Sequence, residues 1–452
     1  MRMPAPRVAL IALAVALLAT GLAVIAIRAG DGGHKVASRG TTTSATTTTV
    51  PETSTTAVPP APSTTQPIPS ALAQTFAQIQ DQVAQLRGLP WLGPLDIQLA
   101  SDADFVRQLN AVINRDIHLD RLQGDGETWK VLKLIPQNTD YVKTTFDLYG
   151  GAVLGFYDPK TKKLLVRAGG NTLTPEQKIT VAHEMDHALT DQHYQFGPAT
   201  DVLDKEDKEE ANMAFSGLLE GDAKTLEAQW SAKFLSSKER SAAASESGSA
   251  ASTVLRTPPY MLDSLYWPYT TGKDFVISRY RAGNWAGVND AYRRPPDSTL
   301  VVDHPDLYSA GKTWTPPAFP DLAAATGCTP IRANTLGQFN MLEVLHEHLD
   351  NSTAEDASDG WSGDAFATVR CGAARGFADR WTAPDTASAG KLASALSSWA
   401  GDWSGGHTRP AADGRFSGPS GAGRIVVAGT RVDLILGDDP ATADKVNAAL
   451  GD

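Results

Sequence analysis

Thr174-Pro175-Glu176-Gln177 and, six residues on, His183-Glu184-Met185-Asp186-His187-Ala188-Leu189-Thr190-Asp191-Gln192 contain a helix start and a chemically loaded helix face. Thr at the cap, Pro at the first helical position and Gln three residues after the cap make a capping box. Ile179, Val181, Ala182, Met185, Ala188 and Leu189 are apolar around much of the circumference, so this helix belongs in a core. Residues four apart share a helix face, so both imidazoles can reach one ion. Burying two histidines and a glutamate without partners costs several kcal/mol, at about 2–7 per unpaired polar group. A metal compensates them. Zinc takes neutral imidazole nitrogen at about 2.0–2.1 Å, and a catalytic site keeps three protein ligands and one open position. Glu184 sits one step round from His183, placed to act as base on a water there. Histidines that merely hydrogen-bond neighbours on a buried helix are the plain alternative.

Two residues compete for third ligand. Glu220, in Leu218-Leu219-Glu220-Gly221-Asp222-Ala223 on a helix expected over about 207–235, completes a His-His-Glu set. Gly221, with Gly217 and Ala223, leaves room for close backbone approach, which a ligand-bearing helix packed on the histidine helix requires. His193 falls at the third position of H-E-x-x-H-x-x-G-x-x-H, but Thr190 occupies the glycine place and is β-branched. Glu220 is preferred, with His193 left as a helix-end residue.

Upstream, Ala152–Tyr157 and Lys163–Arg167 flank Asp158-Pro159-Lys160-Thr161 and read as a β-hairpin. Its Gly155–Tyr157 strand offers an edge on which an extended peptide could pair. Leu72, Phe76, Ile79, Val83 and Leu86 give a helical period from Ser70, ended by Arg87-Gly88-Leu89-Pro90. Ser236–Pro258 reads as an exposed Ser/Ala-rich loop, followed by helical and irregular sequence to about Trp403. Arg424–Val427 and Arg431–Leu436 form a last strand pair about Gly429-Thr430.

The 452 residues, 42% hydrophobic and 20% charged, suffice for one large or two smaller domains. A formal net charge of −11 and the lack of a Lys/Arg cluster argue against a nucleic-acid partner. Val8–Ile27 is apolar and uncharged, and at about 1.5 Å per residue spans a hydrocarbon core of about 30 Å. No small-residue cleavage site follows it, which favours a signal anchor over a removed signal peptide. Residues 36–69, with Thr46-Thr47-Thr48-Thr49 and Pro59-Pro60-Ala61-Pro62, have the composition of an extended disordered stalk. Either version of the terminus puts the rest of the chain outside the cytoplasm, where Cys328 and Cys371 are expected to pair. Such a bridge contributes up to about 4 kcal/mol, with two buried thiols as the alternative.

These readings divide the chain into a cytoplasmic tip and anchor (1–35), a linker (36–69), a main domain (70–405), and a C-terminal strand pair and helix packed on it (406–452). The expected fold class is α+β, predominantly helical with a small sheet, behind a transmembrane segment and disordered stalk.

The quoted motifs give the chain a resemblance to the gluzincin side of the zincin metallopeptidases. It is more closely similar to a group of exported proteins with H-E-x-x-H-A-L-x-D-Q followed by L-x-E-G-D-A. Gly155–Pro159, Trp267-Pro268-Tyr269, Pro295–Thr299, His304-Pro305 and Gly360–Asp364 match that group more loosely, across most of 70–405. Leu300 stands where it leads one to expect glutamate. The resemblance implies a peptidase of peptide or protein substrates, with Zn2+ on His183, His187 and Glu220 and Glu184 as general base, and the N-terminal reading makes it membrane-anchored and extracellular. His304 is the first candidate to steady a developing oxyanion, and Tyr308 the next. The motif fixes water activation, not the bond cleaved. A zinc hydrolase of a wall component and a non-catalytic tethered scaffold are therefore the alternatives. Oligomeric state is not legible.

Overall fold

In the computed structural model the described residues are 68–151, 153–167, 170–246 and 256–451. The helix over Ser70–Arg87 buries Leu72, Phe76, Ile79 and Val83 and stops where Gly88 takes a left-handed φ of 68°. Its apolar stripe packs on Val181, Ala182, Met185 and Leu189 of the histidine helix, Pro175–Tyr194, and on Leu226 and Trp230 of the glutamate helix, Glu209–Phe234.

The expected hairpin forms β2 (Gly155–Asp158) and β3 (Lys163–Arg167), paired antiparallel. A further strand, β1 (Asp96–Ala100), joins β3 in parallel, giving the order β1-β3-β2. β2 is thus an edge strand, and it lies against the histidine helix with all four residues buried.

A second sheet corrects the expected fold class. Residues 329–437 contain six antiparallel strands: β4 (Thr329–Asn334), β5 (Gly363–Cys371), β6 (Ala374–Thr382), β7 (Arg415–Gly418), β8 (Gly421–Ala428) and β9 (Arg431–Gly437). Their order is β4-β5-β6-β9-β8-β7. Helix predominates, but beside two sheets rather than one small one. β5 and β6 escape a reading by alternation because both sheet faces are covered. Phe366, Phe377, Leu434 and Leu436 turn to one side, with Leu392 and Trp399 of the helix Thr386–Ser404. Ala367, Ala378 and Ile435 turn to the other, with Val446 and Leu450 of the last helix, Pro440–Leu450. The strand pair expected near 424–436 is β8–β9, and β9 pairs with β6, so strands on both sides of residue 405 share this sheet. Cys328 and Cys371 form a disulfide between the segment entering β4 and the end of β5.

No helix among the described residues is long and apolar enough to cross a membrane. Val8–Ile27 and the stalk up to residue 67 lie outside the described residues. The Ser/Ala-rich stretch read as loop contains a helix, Ser237–Glu246. Ser236 Oγ accepts the Glu239 N–H at 3.2 Å while Glu239 Oε2 accepts the Ser236 N–H at 2.9 Å, a second capping box that outweighs the composition.

The glycines of the glutamate helix do permit close approach, but to a different partner. A Cβ on Gly221 would lie 2.2 Å from the carbonyl oxygen of Gly272, and one on Gly272 would lie 2.3 Å from that of Gly217. Gly272 belongs to the long helix Pro259–Arg293, so the glycine face seats that helix and not the histidine helix. The side bearing Glu220 remains turned to the histidines.

Candidate metal centre

The capping box of the histidine helix is present in full: Thr174 Oγ1 accepts the Gln177 N–H at 3.2 Å, and Gln177 Oε1 accepts the Thr174 N–H at 2.9 Å. From that start the helix runs unbroken through Thr190 to Tyr194 and ends at Gln195, whose φ is 49°. His183 and His187 therefore lie one turn apart, both essentially inaccessible. Their Nε2 atoms are 3.2 Å apart.

Glu220, 37 residues beyond His183, brings Oε2 to 3.3 Å from His183 Nε2 and 3.4 Å from His187 Nε2. Three ligands at about 2.0–2.1 Å from a tetrahedral ion stand about 3.3–3.4 Å from one another. The three atoms match that spacing. The other oxygen, Glu220 Oε1, is buried with no hydrogen-bond partner among the described residues. Burial works against the Glu220 charge, but His187 and His183 outweigh it and hold the carboxyl below its ordinary range. A charged carboxylate converging with two imidazole nitrogens suits a divalent cation, and the N,N,O donor set suits zinc.

Glu227, not singled out from the sequence, orients His183. Its Oε2 lies 3.0 Å from His183 Nδ1, and Lys224 pairs with its other oxygen at 2.6 Å. Burial opposes ionisation, yet Lys224 and His183 bring the Glu227 carboxyl down to about 2. An ionised Glu227 can only accept, so His183 carries its proton on Nδ1 and turns the Nε2 lone pair to the cluster. The signal was available, since Glu227 is two turns beyond Glu220 on the same helix face. Glu227→Gln should weaken zinc binding by about 10–100-fold, read by competition with a chelating dye. Unchanged affinity would show that Glu227 does not tune the site.

Glu184 is fully buried. Its Oε2 accepts the backbone N–H of Tyr157 at 2.8 Å, and its Oε1 has no partner among the described residues. Burial pushes the carboxyl up to about 8, with His183 pulling it down and Glu220 adding to the rise. The Tyr157 N–H is on the open side of β2, so the edge expected to pair with a peptide spends this donor on Glu184.

A buried guanidinium locks the supporting helices together. Arg87 Nη2 donates to Asp222 Oδ2 at 2.8 Å, Nη1 donates to Asn289 Oδ1 at 2.7 Å, and Nε lies 3.5 Å from Asp186 Oδ1. Tyr292 also donates to Asp222, at 2.7 Å. Asp186 lies in the histidine helix and Asp222 in the glutamate helix, so one cation ties both helices to Ser70–Arg87 and to the long helix. In the same way Asp191 accepts from the Tyr157 hydroxyl at 2.8 Å, and Gln192 Oε1 accepts from the Leu92 N–H at 2.8 Å. These motif residues hold the frame rather than line the centre.

The remaining candidates lie elsewhere. His193 Nε2 bonds the Pro90 carbonyl oxygen at 2.8 Å and is not drawn into the cluster. His304 Nε2 bonds Asp359 Oδ1 at 2.9 Å, in a separate group with Asp303. The Tyr308 hydroxyl is spent on the Arg294 carbonyl oxygen at 2.8 Å. Thr299 holds Glu210 through both its N–H and its hydroxyl, and Leu300 is core. Aromatic rings flank the pair instead: Phe196 lies 6.2 Å from the His187 ring, and Tyr269 of the long helix lies 6.5 Å from that of His183 at an interplanar angle of 27°. A cleft of about 300 Å³ reaches the cluster, with Glu220 and Tyr269 among its lining residues.

A family model described as "Domain of unknown function (DUF8575)" matches residues 328–447. That match spans the six-stranded sheet and leaves both ligand-bearing helices outside it. No curated protein and no solved structure matches the chain.

Proposed function

We propose that the chain is a zinc-dependent hydrolase of peptide bonds, with His183, His187 and Glu220 holding the ion and Glu184 acting as general base. The observation that carries this reading is the mutual spacing of three buried acceptor atoms, 3.2, 3.3 and 3.4 Å. Two lone-pair nitrogens and a carboxylate have little reason to converge at such distances without a shared cation. Zinc in such a site supplies Lewis acidity, acidifying water and polarising a carbonyl oxygen.

The chain's own residues supply the proton traffic. Tyr157 N–H holds Glu184 Oε2 and leaves Oε1 to take a proton from the attacking water; a divalent cation on the neighbouring ligands would offset the rise that burial gives this carboxyl and keep it ionised. As the carbonyl carbon–nitrogen bond breaks, the same carboxyl passes that proton to the departing amine. Glu227 keeps His183 in the tautomer that presents Nε2, and Arg87 fixes the spacing of the two helices. The Cys328–Cys371 disulfide supports placing this chemistry outside the cytoplasm.

The purified full chain should bind about one zinc per molecule and cleave casein, with cleavage lost to a chelator and restored by added zinc. Zinc bound without cleavage of casein or of a peptide library would sink the peptidase assignment and turn attention to non-peptide substrates. Failure to bind zinc would sink the whole reading.

A further inference from the structure

The cleft beside the centre has a direction. Glu209, Asn212, Met213, Ser216 and Glu220 all line it, and all come from the glutamate helix. Their spacing places them on one face of the helix, which at about 1.5 Å per residue makes a row of about 16 Å. The opposite wall includes Tyr260, Leu265, Pro268 and Tyr269 of the long helix. Tyr269 faces the histidines, while Tyr260 packs on Trp129 with ring centroids 5.2 Å apart and feels the charges of Asp125 and Glu209. Both walls therefore run from the centre to the same acidic end.

Three features along the row identify what would occupy it. Near Glu220 the lining residues Ser216, Leu265, Pro268 and Tyr269 carry no formal charge, so nothing on these walls would hold the charged end of a chain next to the cut bond. One turn from the Glu209 end, Asn212 has a buried Oδ1 with no hydrogen-bond partner among the described residues, an acceptor suited to a backbone N–H. At the far end Arg332 pairs with Asp125 at 2.7 Å, with Asp207 at 2.7 Å and with Glu209. Arg121 lies 3.3 Å from both Asp204 and Asp207, and His118 lies 3.1 Å from Asp204. Four carboxylates there meet two guanidinium groups; burial raises Asp125 and pushes Glu209 up to about 8, so a cation entering this end would draw both to their charged forms.

We infer that the site is an endopeptidase site taking an extended polypeptide along the glutamate helix. Asn212 accepts from the substrate backbone, and a Lys or Arg side chain four to five residues from the cut bond is drawn to the Glu209 end. The register follows from length, since about 16 Å of groove takes about five residues at about 3.3–3.6 Å each. This inference rests on the peptidase reading above and adds substrate class and polarity to it.

Zinc-loaded full chain, tested on internally quenched decapeptides blocked at both ends and on blocked tripeptides with the same central residues, separates the two claims. Decapeptides should be cleaved with kcat/KM about tenfold above the tripeptides. Lys four or five residues from the cut, on one side only, should be favoured over Glu by about fivefold at low salt. Glu209→Gln should shrink that preference, and Asn212→Ala should raise KM for decapeptides by about three- to tenfold. Equal turnover of tripeptides and decapeptides would overturn the extended-substrate inference while leaving the peptidase reading standing. A charge preference that is flat or that survives Glu209→Gln would overturn the assignment of a Lys or Arg side chain to the Glu209 end. Failure to cleave any peptide would remove both.

Discussion

Glu184→Gln is expected to keep its zinc and lose hydrolysis by about 10²–10⁴-fold, the range a positioned general base contributes. The amide has the shape of the carboxylate and can still accept the Tyr157 N–H through its oxygen, the bond that Oε2 makes at 2.8 Å. Glu184 is not among the three converging atoms, so the cluster and the zinc content should be unchanged. What disappears is the proton acceptor at Oε1, and with it the route from attacking water to leaving amine. The loss should fall on kcat rather than KM, because the base acts on the transition state and not on substrate binding. Metal analysis beside steady-state kinetics checks both halves. A variant that retains wild-type turnover would eliminate Glu184 as the base, and one that loses zinc would make it a ligand instead.

Glu220→Ala is expected to lower zinc affinity by well over the 10–100-fold that follows from loss of an outer partner such as Glu227. It removes one of the three converging side chains and the only carboxylate among them, leaving two imidazoles on one helix turn that cannot define a tetrahedral site alone. Chelator competition reads the affinity, and activity at saturating zinc reads what the residual site can do. Affinity close to wild type would return His193 to consideration, although its Nε2 is engaged by the Pro90 carbonyl oxygen. Circular dichroism of the zinc-free variant distinguishes a lost ligand from a lost fold. The Arg87 lattice, which does not involve Glu220, should keep the two helices in place.

The parts of the site legible in the sequence are those carried by a single helix. Thr174-Pro175-Glu176-Gln177 announces a start, and His183 and His187 share a face, with Glu184 one step round from His183, because helical period is a local property. The capping box at Ser236–Glu239 was equally local, and there composition hid a signal that the caps themselves carried. Glu227 belongs with these, two turns from Glu220 on a helix already recognised. Asp186 and Asp222 lay in the quoted motifs, but their role depends on Arg87, 99 positions before Asp186 in the chain. No pattern of spacing points from one to the other. The six-stranded sheet was legible only at its β8–β9 pair. Its central strands β5 and β6, buried on both faces and with Asp364 and Asp379 inside them, show no alternation of apolar and polar residues for a period-two reading to find.

By itself, then, the sequence determined the local donor pattern: two imidazoles and a carboxylate on one capped helix, and a glutamate amid apolar residues on another. Tertiary structure decided which carboxylate meets the imidazoles, that the Tyr157 amide holds Glu184, that Gly217 and Gly221 admit the long helix, and that the groove follows the glutamate helix. The division has a physical cause. Caps and helical faces are set by residues within a turn or two of one another, whereas convergence to 3.3 Å across 37 residues depends on the packing of every helix between and around them.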